Sequence, residues 1–151
     1  MNTHTSILVC DDEAHIRQII ALKLRSAGFL VLEARNGQEA LAMIDPSFIV
    51  HPMHARPSMP DRGAGFQPAL VITDFQMPLM TGIELCKALK AREATAHIPA
   101  LMLTARGYVL TEAELAQTNI VQVISKPFGV RQLLDRVVAM LGNPGTGEVA
   151  A

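Results

Sequence analysis

Ser6-Ile7-Leu8-Val9-Cys10-Asp11-Asp12 decides how this chain is read: a short apolar run with the composition of a buried strand, closed by two carboxylates. Downstream, Ala14–Ala27 places Ile16, Ile19, Ile20, Leu24 and Ala27 at helical spacing, and Gly28 stops the helix. The same strand-then-helix unit recurs. Leu30–Ala34 predicts a second strand, and Asn36 caps a helix with Glu39 three residues on and Leu41 and Ile44 facing inward. Ala69–Thr73 predicts a third strand, and Thr81 with Glu84 forms a capping-box pattern ahead of Leu85 and Leu89. Pro99–Leu103 is a fourth strand, and Thr111 with Glu114 repeats the capping signature before a short helix containing Leu115. Ile120–Ser125 is the last strand. A final helix carries Val130, Leu133, Leu134, Val137 and Leu141, and ends in Gly142-Asn143-Pro144-Gly145. Strands apolar on both faces, alternating with amphipathic helices, predict an α/β fold: a doubly wound parallel sheet with helices on both faces.

In such a sheet the C-terminal strand ends gather on one edge, where ligands bind. That edge would collect Asp11 and Asp12 from the first strand, Asp74 from the third, Thr104 from the fourth, and Lys126-Pro127 from the fifth. Three carboxylates held close together repel one another, and at least one pKa rises. A hard divalent cation such as Mg2+ reverses that logic: it keeps the acids ionised and draws in phosphate oxygens. An ionised Asp then attacks phosphorus, Lys126 can pair first with Asp74 and then with a phosphoryl oxygen, and Thr104 can hydrogen-bond another. Taken singly, an acid at a strand end is as often a turn former, and a lone lysine there is usually solvated. The constellation, not any one member, outlines a phosphoryl-transfer site.

Composition narrows the alternatives. At 151 residues the chain is one domain's worth, with 50% apolar and 18% charged residues. A formal net charge of −1 offers no basic face for nucleic acid, and with one Tyr and no Trp a base-stacking surface is not expected. No run approaches the roughly 18 apolar residues of a membrane span, and Met1-Asn2-Thr3-His4 lacks the basic start of a signal peptide. Cys10 and Cys86 fall on a strand and a helix, as small core residues and not as a disulfide framework. A reducing cytoplasm is the expected setting.

Residues 46–68 break the alternation, with prolines, Gly63 and Gly65 and no apolar period, and are expected to be a surface insertion at the edge opposite the acids. The domain is therefore expected over residues 4–142, interrupted by 46–68, with a flexible tail at 143–151. His51 and His54 with Met53 and Met59 are read as incidental composition, and His15 as a solvated helix residue.

The strings Val9-Cys10-Asp11-Asp12-Glu13, Asp74-Phe75-Gln76-Met77-Pro78 with Gly82, Thr104-Ala105 and Lys126-Pro127-Phe128 together resemble the receiver domain of bacterial two-component response regulators. The resemblance implies five strands in the flavodoxin-like order 2-1-3-4-5. It implies that Asp74 is the phospho-acceptor, Asp12 a direct Mg2+ ligand, Asp11 the holder of a metal-bound water, and the Gln76 backbone carbonyl a further ligand. Thr104 and Lys126 match the pair that grips the phosphoryl oxygens, and the side chains of Gln76 and Arg106 match positions that govern how long the phosphoryl group survives. The implied partners are a sensor histidine kinase or phosphotransfer protein, and a downstream protein at the face of the fourth helix, fifth strand and fifth helix. No nucleic acid and no membrane is expected.

One position departs from the family. An aromatic residue is usual three residues before the lysine, and Val123 stands there. Tyr108, after the fourth strand, is the aromatic available nearby. The expected function is a single-domain regulator that assists its own phosphorylation and dephosphorylation and is not otherwise an enzyme. An adaptor that binds partners without phosphorylation is the alternative. A small phosphatase using Asp74 is a weaker one, since Gln76 stands where it would need a general acid.

Overall fold

The computed structural model describes residues 5–45, 67–105 and 108–144. Most of the insertion, including the His51–Met59 group, lies outside the described residues, as do Arg106 and the last residues of the tail. The elements run β1 (Ser6–Cys10), α1 (Ala14–Ser26), β2 (Leu30–Ala34), α2 (Gly37–Ile44), β3 (Leu70–Asp74), α3 (Gly82–Ala91), β4 (Ala100–Thr104), α4 (Glu112–Ala116), β5 (Ile120–Ser125) and α5 (Val130–Leu141). All pairings are parallel, and the sheet order is β2-β1-β3-β4-β5. The doubly wound five-stranded sheet and its 2-1-3-4-5 order are thus as expected.

The strand period of two builds two cores from one sheet. Ile7 and Val9 of β1, with Ile72 and Leu103, pack under α1 and α5 against Ile20, Leu24, Leu133 and Val137. Leu8 and Cys10, with Val71 and Met102, face the other way, against Leu41 and Ile44 of α2 and Leu85 and Leu89 of α3. Central β3 and β4 are buried throughout, while edge strand β5 alternates between buried and exposed positions. That difference is what double coverage by helices dictates.

Local chemistry sets the helix starts. Thr81–Glu84 and Thr111–Glu114 both close reciprocal capping boxes. Asn36 caps α2 by accepting from the Glu39 N–H, but the Glu39 carboxylate turns to Arg35 instead of closing a box. Gly28 ends α1 at φ +107°, a conformation that favours glycine. Two strand ends differ from expectation by one residue. Asp74 and Thr104 are the last residues of β3 and β4, because Asp74 still pairs with Leu103 and Thr104 with Ser125. Ile19, expected on the inner stripe of α1, is 39% exposed; the buried stripe is Arg17, Ile20, Ala21 and Leu24.

Candidate phosphoryl-transfer site

The ends of β1, β3, β4 and β5 enclose a cleft of about 340 Å³ lined by Asp12, Asp74, Gln76, Ala105 and Lys126. Asp11, Asp12 and Asp74 each present a carboxylate oxygen, and these oxygens lie within 4.8 Å of one another. Asp11 and Asp74 are buried, whereas Asp12 is exposed at the mouth. The Lys126 Nζ sits 2.9 Å from Asp74 Oδ1 and 3.8 Å from Asp11 Oδ2. Thr104 and Lys126 are tied together by the backbone, since the Lys126 N–H donates to the Thr104 carbonyl over 2.7 Å. The Lys126–Pro127 peptide is cis.

Asp11 is held on several sides. Its N–H donates to the Ala34 carbonyl over 3.1 Å, and its Oδ1 accepts from the Glu13 N–H over 2.9 Å. Its Oδ2 is buried without a hydrogen-bond partner, and so is the Thr104 hydroxyl. Burial raises the Asp11 carboxyl from its ordinary 3.8 to about 6, against the Glu13 N–H and with the Asp74 charge adding to the rise. Burial also raises Asp74, against the opposing pull of Lys126. For Lys126, burial disfavours the ammonium, but the hydrogen bond and charge of Asp74, with Asp11 and Glu13, outweigh it and raise the pKa. Asp11 and Asp74 thus sit close together and buried, with the single Lys126 ammonium beside them.

Gly82 shapes the rim. A Cβ on Gly82 would fall 2.3 Å from the Asp74 carbonyl oxygen, and the Gly82 N–H bonds the Phe75 carbonyl over 2.9 Å. Only glycine lets α3 start this close to the acid. Within the segment it closes, Leu79 takes φ +70°, a left-handed conformation that is uncommon for a leucine.

Residues 7–138 match the response regulator receiver domain. The chain belongs to that family. The receiver is 37% identical over 146 residues to the phosphate regulon transcriptional regulatory protein PhoB of Pseudomonas aeruginosa, covering 97% of this chain and 56% of that protein. It is 32% identical over 137 residues to the transcriptional regulatory protein ResD of Bacillus subtilis, covering 91% of this chain and 48% of that protein. Among solved structures, the chemotaxis protein CheY4 of Vibrio cholerae superposes with a TM-score of 0.70 at 29% identity, covering 92% of this chain and 100% of that one. The chain spans about half the length of the curated regulators it matches.

Every site residue expected from the receiver's sequence lies at this edge except Arg106, which is outside the described residues. The sequence reading passed over Arg17. It is a buried arginine whose Nη1 donates to the Asp11 carbonyl over 2.9 Å, while its Nε lies 3.2 Å from Glu33 Oε1. The signal was present: Arg17 opens the buried i, i+3, i+4, i+7 stripe of α1, where a charged residue calls for a reason. Tyr108 is also engaged. Its ring centroid is 4.4 Å from that of Phe75, and its hydroxyl donates to Glu114 over 3.0 Å.

Proposed function

We propose that this receiver accepts a phosphoryl group on Asp74 from the phosphohistidine of a sensor histidine kinase or phosphotransfer protein, with bound Mg2+, and thereby changes its affinity for a protein partner. One observation carries the reading: the Asp74 carboxylate meets two further carboxylates and the Lys126 ammonium in a single open cleft. The donor set is all oxygen, and a buried Asp11 oxygen without a hydrogen-bond partner points to a hard cation as what completes it. Asp12, Asp74 and the Gln76 carbonyl would hold magnesium directly, with Asp11 holding a water on it. When bound, the ion supplies the positive charge that three carboxylates and an arriving phosphoryl group require.

An Asp74 carboxylate oxygen attacks phosphorus, the P–N bond breaks, and its electron pair leaves with the donor imidazole. Lys126, already paired with Asp74, shifts the ion pair and hydrogen bond of its ammonium to a phosphoryl oxygen, its own bonds unchanged. The buried Thr104 hydroxyl donates to a second oxygen, gaining the partner that it lacks. Water later cleaves the acyl phosphate. The receiver would in this way assist its own phosphorylation and dephosphorylation.

A donor protein must cover the cleft. Beside it lies an apolar groove of about 560 Å³ formed by Ile16, Ile19, Ile20, Pro127, Phe128 and Val130, which shares Lys126 and Ala105 with the acidic cleft. Because the two are continuous, the protein that brings a phosphohistidine to Asp74 would rest on this groove. No described helix is long and apolar enough to cross a membrane. The two buried free thiols accord with the reducing cytoplasm in which such a relay would run.

Asp74→Asn tests the assignment. With Mg2+ and phosphoramidate or acetyl phosphate, the protein should acquire a hydroxylamine-labile phosphoryl group and the variant none, with its fold retained. Equal labelling of the two would remove Asp74 from the mechanism. An unlabelled natural protein that still bound its partner would favour the adaptor reading.

A further inference from the structure

A buried guanidinium is an expensive way to fill one position of a helix stripe. An apolar side chain of similar volume there is often neutral or stabilising by comparison. Arg17 heads the stripe that Ile20, Ala21 and Leu24 complete, and its side chain is only 11% exposed. What the guanidinium touches supplies the reason. Its Nη1 is spent on the backbone carbonyl of Asp11, over 2.9 Å, and not on either carboxylate of the acidic pair. The carboxylates thus keep their oxygens, and Asp11 Oδ2 stays without a hydrogen-bond partner. With Ala34 accepting its N–H and Glu13 donating to its Oδ1, Arg17 completes the restraint of Asp11 at every polar atom except that one.

The positive charge is also balanced. Glu33 Oε1 faces Arg17 Nε at 3.2 Å, and Glu33 Oε2 faces Arg25 Nη1 at the same distance. Arg25 in turn donates to the Val31 carbonyl over 2.9 Å. A line of contacts therefore runs from the back of β2 through Arg25, Glu33 and Arg17 to the turn that carries Asp11 and Asp12. An arginine suits that position because one planar fork satisfies a carboxylate and a carbonyl together, which a lysine ammonium does not reproduce.

We propose that Arg17 is a positioning residue for cation binding: its bond to the Asp11 carbonyl sets the turn after β1 so that the Asp11 and Asp12 carboxylates face Asp74. The inference rests on the phospho-acceptor reading above. Groups that hold a metal ligand from behind are typically worth about 10- to 100-fold in affinity, and Arg17 belongs in that range.

Calorimetric titration of Mg2+ into the full chain, paired with a thermal melt of each variant, separates positioning from mere support of the fold. Arg17→Met should raise the Mg2+ Kd by about 10- to 100-fold. Phosphorylation by phosphoramidate should then need correspondingly more Mg2+ yet approach the natural rate at saturation. Arg17→Lys, which keeps the charge and is the variant to rely on if methionine does not fold, should raise the Kd by about tenfold. Glu33→Gln keeps the Arg17–Asp11 bond and should shift the Kd much less. A lysine variant that binds Mg2+ within twofold of the natural protein, whatever its melting point, overturns the proposal. So does a Glu33→Gln shift as large as that of Arg17→Met, because charge balance would then be the cause. Failure of the natural protein to bind Mg2+ at Asp12 or to label Asp74 would instead sink the earlier reading.

Discussion

The acidic edge and the face made by α4, β5 and α5 belong to one sheet but are built to different standards. At the edge, Asp74 and Thr104 end strands buried along their whole length and pair with Leu103 and Ser125, while buried Asp11, the residue after β1, is held by its N–H bond to the Ala34 carbonyl. At the face, α4 is five residues long and buries none of its side chains, and β5 exposes Val121 and Val123. The edge gathers three carboxylates, a buried hydroxyl and the Lys126 ammonium, while the face carries Val123 where an aromatic residue was expected. The difference teaches where a fold tolerates change. Chemistry that needs several groups held closely together is tied to the most buried strands. The face proposed to meet a partner lies on an edge strand, where a side chain meets solvent on one side.

The largest effect should come from the edge. Asp12 stands at the mouth and Asp11 is buried behind it with one carboxylate oxygen already bonded to Glu13. If Asp12 is the direct ligand, Asp12→Ala should raise the Mg2+ Kd more than about 100-fold, whereas Asp11→Ala, acting through a water, should cost about tenfold. Mg2+ titration of both variants checks this. Equal losses would mean that the edge does not distinguish its two acids.

The same crowding that suits a cation should destabilise the metal-free protein. Asp11 loses its proton near pH 3.8 when unfolded and near 6 when folded, so between those values the folded chain binds more protons. Stability therefore falls as pH rises from about 4 to about 6, and the loss persists above. Asp11→Asn, neutral throughout, should come close to the natural protein near pH 4 and exceed it above pH 6, by on the order of 3 kcal/mol. Denaturant melts in chelator check it. A variant that is less stable at pH 7.5 would mean that the Lys126 contact outweighs burial.

If phosphorylation switches the face of α4, β5 and α5, the change should reach it by a different route from an aromatic on β5. Phe75 is the residue after Asp74, the Tyr108 ring packs against it at a tilt of 41°, and the Tyr108 hydroxyl reaches Glu114, whose carboxylate closes the cap of α4. Hydrogen exchange with and without a beryllofluoride mimic should change most from Tyr108 to Glu114 and little at Val121–Ser125. Tyr108→Ala should erase the α4 response without preventing labelling of Asp74. A dominant change on β5 would return the coupling to Val123.

Much of both regions was legible in the sequence, for local reasons. The Thr81 and Thr111 capping boxes involve residues three apart, and the order of strands and helices follows from apolar period. The acids, Thr104 and Lys126 were found because a parallel sheet brings strand ends together whatever lies between them. What escaped depended on contacts between distant elements. Whether Asp74 ends β3 or follows it is decided by its pairing with Leu103. The roles of Arg17 and Tyr108 depend on Glu33 arriving from β2 and Phe75 from the turn after β3. Ile19 shows the converse: helical spacing placed it inside, yet it lines the groove beside the cleft.

The smallest effect should come from the edge opposite the acids, which supplies the control for the comparison. Residues 46–66 lie outside the described residues, but those flanking them are well anchored. Asp45 meets Arg92 at 2.7 Å, and the Gln67 side chain donates to the Ala94 carbonyl over 3.3 Å. The Ala69 N–H bonds the carbonyl of Ser6, at the start of β1 and so at the far end of that strand from Asp11. Both flanks thus rest on the same turn after α3, and a short Gly/Ser linker can join them there. Replacing residues 46–66 in this way should leave the Mg2+ Kd and the rate of Asp74 labelling within about twofold. Closure entropy grows only slowly with loop length, so stability should change by less than about 2 kcal/mol. A tenfold loss of labelling with the fold intact would bring this segment to the cleft, and a large loss of stability would mean that Phe48, Ile49 and Val50 pack onto the domain.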